Sequence, residues 1–284
     1  MTQDSQPVSS VADCNHEYAD ILGVKVSAID MRRAVDMANR WIAMGQSGYV
    51  CVTGVHGVME AQKDTELRMI LNHAVMNTPD GMPMAWVGRL QGLDNMERVF
   101  GPEFMLAMCR LSLERNYRHF LYGGQPEVAQ KLKWTLERKF PGLQIVGTYT
   151  PPFRALNAEE ESKLLKQVHA SRPHIIWVGL STPKQERFMA HYVNQLQVPL
   201  LIGVGAAFDF HTGRIRDCSP WIKRAGLQWL HRLLQDPKRL WRRYLCNNPV
   251  FVWNITLQLL KLRRYPHTSE ARASASQSDV EIRL

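Results

Sequence analysis

The tetrapeptide Thr78-Pro79-Asp80-Gly81 places a carboxylate where it could do chemistry. Pro-Asp-Gly is a favoured turn tripeptide for local backbone reasons, and taken alone the stretch reads first as a turn. It also follows a short apolar run, residues 74–77, and a carboxylate just past a strand can act as a general base. Gly179-Leu180-Ser181-Thr182-Pro183-Lys184-Gln185-Glu186 offers a second chemistry. Thr182 suits an N-cap, Pro183 a first helical position and Gln185 the returning member of a capping box. The same helix start, with Ser181 and Lys184 behind Gly179, is also a phosphate site. Neither reading excludes the other.

Gly203-Val204-Gly205-Ala206-Ala207-Phe208 begins like a dinucleotide loop but has Phe208 at the third glycine position. It also follows a late strand, which speaks against a standard NAD site. Gly203 and Gly205 still allow a ligand close to the backbone. Asp209, next along, could bond a ribose or base, and a capping role explains it as well. Tyr122-Gly123-Gly124 repeats the pattern, with Tyr122 either flanking a base or packed in the core. The ten His are isolated, and no D-x-D pair, G-x-S-x-G elbow or Walker A loop occurs. No metal constellation is visible.

These groups need elements to hold them. Strands are expected over residues 22–26, 48–53, 74–77, 119–122, 143–148, 174–178 and 199–204. Helical patterns fill 30–44, 57–73, 83–91, 102–115, 126–140, 158–171 and 183–196. Asp30 suits an N-cap, and Glu159, Glu160 and Glu161 suit the first turn of the helix over 158–171. Strands separated by helices of this length imply an α/β fold: a Rossmann-like, mostly parallel sheet with helices on both faces. Ligands bind such sheets beyond the carboxyl ends of the strands, where all four motifs lie.

The chain has 284 residues and a net charge of +9. Residues 214–264 hold 12 Lys and Arg against two acids, so this segment carries +10 and the remainder −1. Trp221, Trp229, Trp241 and Trp253 lie in it too, half of the eight Trp. Apolar residues recur at helical spacing from Trp221, broken at Pro237 into two helices. Three readings fit: a solvated face, a nucleic-acid surface, or an interfacial helix on anionic lipid; cationic helices with Trp and Leu on one face fit the last best. The uncharged stretch 244–260 is shorter than the ~20 mainly apolar residues of a membrane span and too polar. Five scattered Cys and no C-x-x-C pair indicate a reducing compartment, and residues 1–20 do not read as a signal peptide. The expected organisation is a flexible N-terminus over 1–20 and a core over 21–213. A basic amphipathic helical appendage over 214–264 and a disordered tail over 265–284 follow.

Six blocks taken together resemble the WecG/TagA/CpsF glycosyltransferase family: CVTGVHGVMEAQKD, TPDGMPMAWVGRL, ERVFGPEFM, FLYGG, VGLSTPKQERFMA, and the long run from GVGAAFDFHTG to WRRYL. They run in order from about Ile21 to Leu245. The family includes the N-acetylmannosaminyltransferases of teichoic acid and enterobacterial common antigen synthesis. The resemblance implies an inverting, metal-independent transferase with no cofactor. It would move a sugar from a UDP-sugar to an undecaprenyl-diphosphate-linked sugar at the cytoplasmic face of the cell membrane. It puts the base on Asp80, a donor-sugar contact on Thr53, and Gln185 and Glu186 in the donor pocket. Many members carry Asn two residues after that Thr, where this chain has Val55 followed by His56.

The expected donor site therefore comprises Gly81, Tyr122, Gly123, Gly124, Gly179, Ser181, Lys184, Gln185, Glu186, Gly203, Gly205 and Asp209, with Asp80 and Thr53 catalytic. Arg214, Arg216, Arg224, Arg232, Arg239, Arg242 and Arg243 are expected to hold diphosphate or lipid. Expected partners are the UDP-sugar, the polyprenyl-diphosphate acceptor and an anionic membrane surface. A homo-oligomer is left open and nucleic acid is not expected. The alternatives are a non-catalytic nucleotide-binding module and a nucleic-acid-binding protein using the basic helices.

Overall fold

The computed structural model describes residues 16–266. Residues 1–15 and 267–284, which hold most of the expected flexible N-terminus and tail, lie outside the described residues. The chain opens with an antiparallel hairpin, β1 (Tyr18–Ile21) and β2 (Val24–Ser27), where the sequence suggested one strand over 22–26. Leu22 and Gly23 form its turn with φ of 53° and 79°. Positive φ at both central residues matches the twist of the flanking strands.

The main sheet has six parallel strands: β3 (Gly48–Thr53), β4 (Met76–Pro79), β5 (Arg118–Gly123), β6 (Gln144–Tyr149), β7 (Ile175–Gly179) and β8 (Leu200–Gly203). Their order is β4-β3-β8-β7-β5-β6. Pro79 lies at the end of an edge strand, where a missing N–H costs no interior ladder bond. Side chains alternate between two cores, as the period of two dictates. Tyr49, Cys51, Phe120, Tyr122, Ile176, Val178 and Leu201 point to one face. Val50, Leu121, Ile175, Trp177, Leu200 and Ile202 point to the other.

Helices cover both faces. On the second face lie α1 (Met31–Met44), α5 (Gly101–Arg115), α6 (Val128–Lys139) and α9 (Ala207–His211). Asp30 caps α1 by accepting from the Arg33 N–H at 2.6 Å, and Ala34, Ala38 and Ile42 bury one stripe of it. On the first face lie α2 (Val55–Lys63), α3 (Thr65–His73), α4 (Met82–Leu90), α7 (Ala158–Ser171) and α8 (Lys184–Tyr192). The helical stretch expected over 57–73 divides at Asp64, whose carboxylate caps α3 through Leu67 N–H at 3.0 Å. Asn157 and Glu160 close a capping box on α7, with Glu159 and Glu161 beside them in the acidic first turn.

The basic appendage is present but has more pieces than expected. It comprises α10 (Pro220–Arg224), α11 (Gln228–Gln235), α12 (Pro237–Trp241), a π-helical turn (Arg242–Cys246) and α13 (Asn247–Leu259). Gly226, at φ 71°, makes the first break, and Pro237 only the second. The last helix returns to the body. Phe251 and Ile255 are buried in the first-face core, and the Gln258 amide binds the hairpin, accepting from Leu22 N–H at 2.9 Å and donating to the Asp20 carbonyl at 3.0 Å. No helix among the described residues is long and apolar enough to cross a membrane.

Candidate active site

A cavity of about 1440 Å³ lies along the carboxyl edge of the main sheet, closed on one side by the appendage. Asp80 stands on its wall, one residue past β4. The Asp80 N–H donates to the Thr53 carbonyl at 3.0 Å, which fixes the loop to the end of β3. The carboxylate opens only to the cavity and is otherwise surrounded by protein. That desolvation pushes its pKa up to about 6, against the pull of Arg98, then Arg243 and Arg232. Such a group is ionised near neutrality yet basic enough to take a proton.

Thr53 sits behind the wall. It is 2% exposed, and its hydroxyl donates to Asn77 Oδ1 at 3.2 Å. Asn77 in turn donates to the carbonyls of Lys25 and Leu71, both at 2.7 Å, so Thr53 belongs to a buried polar network joining β3, β4 and the hairpin. Gly81, with φ 91°, turns the chain from Asp80 into α4.

Gly179, Ser181, Lys184 and Gln185 line the cavity at the β7–α8 junction. The expected capping box does not form there. Pro183 precedes α8 without a side-chain cap, and the Thr182 hydroxyl donates instead to Glu186 Oε1 at 2.9 Å. Gln185 Nε2 donates to the same oxygen at 3.0 Å. Desolvation raises the Glu186 pKa, opposed by these bonds, and Glu186 lies just behind the wall. Glu186 Oε2 and Gln185 Oε1 are buried with no partner among the described residues. Buried polar atoms of this kind are rare in native structures and tend to mark function.

Glycines bring the strand ends together. Gly124 and Gly205 face the cavity, whereas Gly123 and Gly203 support it from behind. Gly123 has φ 116°, and a Cβ there would stand 2.7 Å from the Gly179 carbonyl oxygen, so only glycine fits. Tyr122 is a packed core tyrosine that also reaches the wall. It stacks on Phe188 with ring centroids 4.0 Å apart, and on Tyr149 at 5.7 Å. Asp209 faces the cavity and pairs with Arg214, Nε to Oδ1 at 3.4 Å.

The appendage arginines divide by position. Arg232, Arg239, Arg242 and Arg243 line the main cavity. Arg214 lines an adjoining cavity of about 340 Å³, which shares Asp209, Arg232 and Arg239 with the first. Arg216 and Arg224 are exposed and line neither. Arg239 pairs with Asp236 at 2.7 Å, and Arg232 lies over the Phe210 ring at 5.2 Å. Arg243 differs from these. Its Nε is buried with no hydrogen-bond partner among the described residues, and burial lowers its pKa. A guanidinium held this way at a cavity wall is prepared for an anion.

Three contributors escaped the sequence reading. Arg98 is the charge that most opposes the rise of the Asp80 pKa, and it bonds Glu103 at 3.3 Å and Gln228 of α11 at 2.9 Å. His56 and Asn247 face one another across the cavity wall at 3.3 Å. Arg98 and His56 lay inside the blocks quoted above, but Arg98 follows no strand, and His56, just past β3, was noted only as a departure from the family pattern. Among the described residues no group of three or more His, Cys, Asp or Glu could hold a metal ion.

The chain is 27% identical over 186 residues to a protein of Bacillus spizizenii named N-acetylglucosaminyldiphosphoundecaprenol N-acetyl-beta-D-mannosaminyltransferase, covering 66% of this chain and 70% of that one. It is 26% identical over 185 residues to the protein of that name from Bacillus subtilis, covering 65% and 70%. The family model described as the glycosyl transferase WecG/TagA/CpsF family matches residues 19–265, which takes in the hairpin, the sheet and the appendage alike. The chain belongs to that family and is a glycosyltransferase.

Proposed function

We propose that the enzyme transfers a sugar from a UDP-sugar to a hydroxyl of an undecaprenyl-diphosphate-linked sugar, with inversion, in cell-envelope polysaccharide synthesis. The names of the two relatives support N-acetylmannosamine as the transferred sugar and a lipid diphosphate as the acceptor class. The observation that carries the reading is a single cavity wall bearing both a carboxylate poised near neutral pH, Asp80, and the Arg243 guanidinium, whose buried Nε has no partner among the described residues.

In the transfer, Asp80 takes the proton of the acceptor hydroxyl as its oxygen attacks the anomeric carbon. The bond from that carbon to UDP breaks, and its electron pair passes to the β-phosphate oxygen. Arg243, with Arg232 and Arg239 beside it, meets the charge that develops there. Thr182, Gln185 and Glu186 shape the donor side of the cavity. The appendage exposes Trp221, Leu245, Trp253 and Leu262 beside its basic residues. This composition suits peripheral binding to the anionic inner face of the cell membrane, where the acceptor resides.

The test is UDP release from a panel of UDP-sugars, with and without a lipid-diphosphate-linked acceptor. Acceptor-dependent release supports the transfer. UDP binding without release from any pairing would leave a non-catalytic nucleotide module instead.

A further inference from the structure

His56 is the second residue of α2, the helix that leaves the end of β3. Its ring meets two other parts of the chain. It lies against the Thr182 backbone in the β7–α8 loop, the loop whose Thr182 hydroxyl binds Glu186. Its Nδ1 faces Asn247 Nδ2 at 3.3 Å. Burial, then Arg243 and Lys63, hold the ring's pKa down at about 4, so it is neutral at physiological pH. A neutral imidazole has one acceptor nitrogen, which suits the Asn247 amide.

Asn247 is the first residue of α13 and is buried, 8% exposed. It follows directly on the π-helical turn that contains Arg243. Insertions of this kind re-aim side chains and recur at functional sites. Arg243 and Asn247 lie on one continuous run of helix, so a restraint on Asn247 also restrains the turn that carries Arg243. Asn247 has no other side-chain hydrogen bond among the described residues, and His56 is what fixes it.

We infer that His56 is a positioning residue: its imidazole clips Asn247 to the Thr182 loop and so holds the Arg243 guanidinium against the cavity. The inference rests on the proposed function in one respect, that Arg243 is there for the donor diphosphate. The clip couples the donor loop to the appendage, because the same ring binds both. Loss of the clip frees the π-helical turn while leaving the Phe251 and Ile255 contacts of α13 in place.

Hydrogen exchange of the amides in residues 242–259, together with calorimetric titration of UDP, tests this on the full chain. His56→Phe keeps the ring bulk and loses the bond to Asn247, whereas His56→Gln keeps one donor and one acceptor. His56→Phe and Asn247→Ala are each expected to speed exchange over residues 242–250 by about tenfold. The double variant should be no faster than either single one, and His56→Gln should exchange like the parent. UDP affinity should fall with the same pattern. The inference is overturned if His56→Phe exchanges like the parent, if His56→Gln exchanges as fast as His56→Phe, or if the two single effects multiply in the double variant. Should UDP fail to bind the parent while the exchange pattern holds, the diphosphate reading fails and the clip stands.

Discussion

The Asp80 N–H donates to the Thr53 carbonyl across the parallel pair β3–β4, so the candidate base is held by the end of a neighbouring strand. Its backbone is thereby fixed without using its carboxylate. Asp80→Asn should keep the loop, bind UDP with affinity close to the parent, and lose at least about a thousandfold in turnover. Near-normal turnover of this variant would remove Asp80 from the mechanism.

The same substitution should stabilise the protein. The folded state holds the Asp80 proton more tightly than the unfolded chain, because the folded pKa is raised to about 6. Stability therefore falls as pH rises through the interval from about 4 to about 6, and the ionised form costs at most about 3 kcal/mol. Asp80→Asn is expected to melt higher than the parent at pH 8, by a margin that shrinks as the pH falls toward 4.

Activity runs the other way with pH. The base must be ionised, so kcat/KM should rise with pH along a limb near 6. Arg98 is the leading charge that lowers this value, and Arg98→Gln should move the limb upward. A pH–rate profile measured on both proteins decides it; a limb that does not move separates Arg98 from Asp80.

Arg243 is buried with its Nε unpaired, an arrangement that costs stability until an anion arrives. Arg243→Met should therefore raise the melting temperature while weakening UDP binding by about 10- to 100-fold. Melting curves with and without UDP read both effects at once.

Trp253 is 65% exposed on α13 and is not part of either core. Trp253→Glu together with Trp221→Glu should melt like the parent yet co-sediment less with vesicles containing anionic phospholipid. Retained sedimentation would place the lipid contact elsewhere.

The sheet and its helices were legible because their signals are local and periodic. Ala34, Ala38 and Ile42 write α1 in their spacing, and Asp30 marks its start. The hairpin was not legible, since Leu22, a residue that rarely takes positive φ, stands at its turn and bonds Gln258 from far along the chain. For the same reason Thr182 could not be read correctly. Its neighbours suit a capping box, but a buried Glu186 takes the hydroxyl instead. Asp80, Gln185 and the arginines were accessible through strand ends, charge and resemblance. Which arginine faces the cavity unpaired depends on a π-helical turn, and no residue pattern announces that extra residue.

The bond between Gln258 and Leu22 spans 236 positions. During synthesis, at about 5–20 residues per second, the hairpin emerges roughly 10–50 s before the amide that satisfies it. The cavity wall formed by Arg243 arrives in that same final interval. A nascent chain can build its sheet and gather its strand ends while still attached to the ribosome, yet its cavity still lacks the wall that carries Arg243. The cavity is thus completed late, when α13 closes against the hairpin.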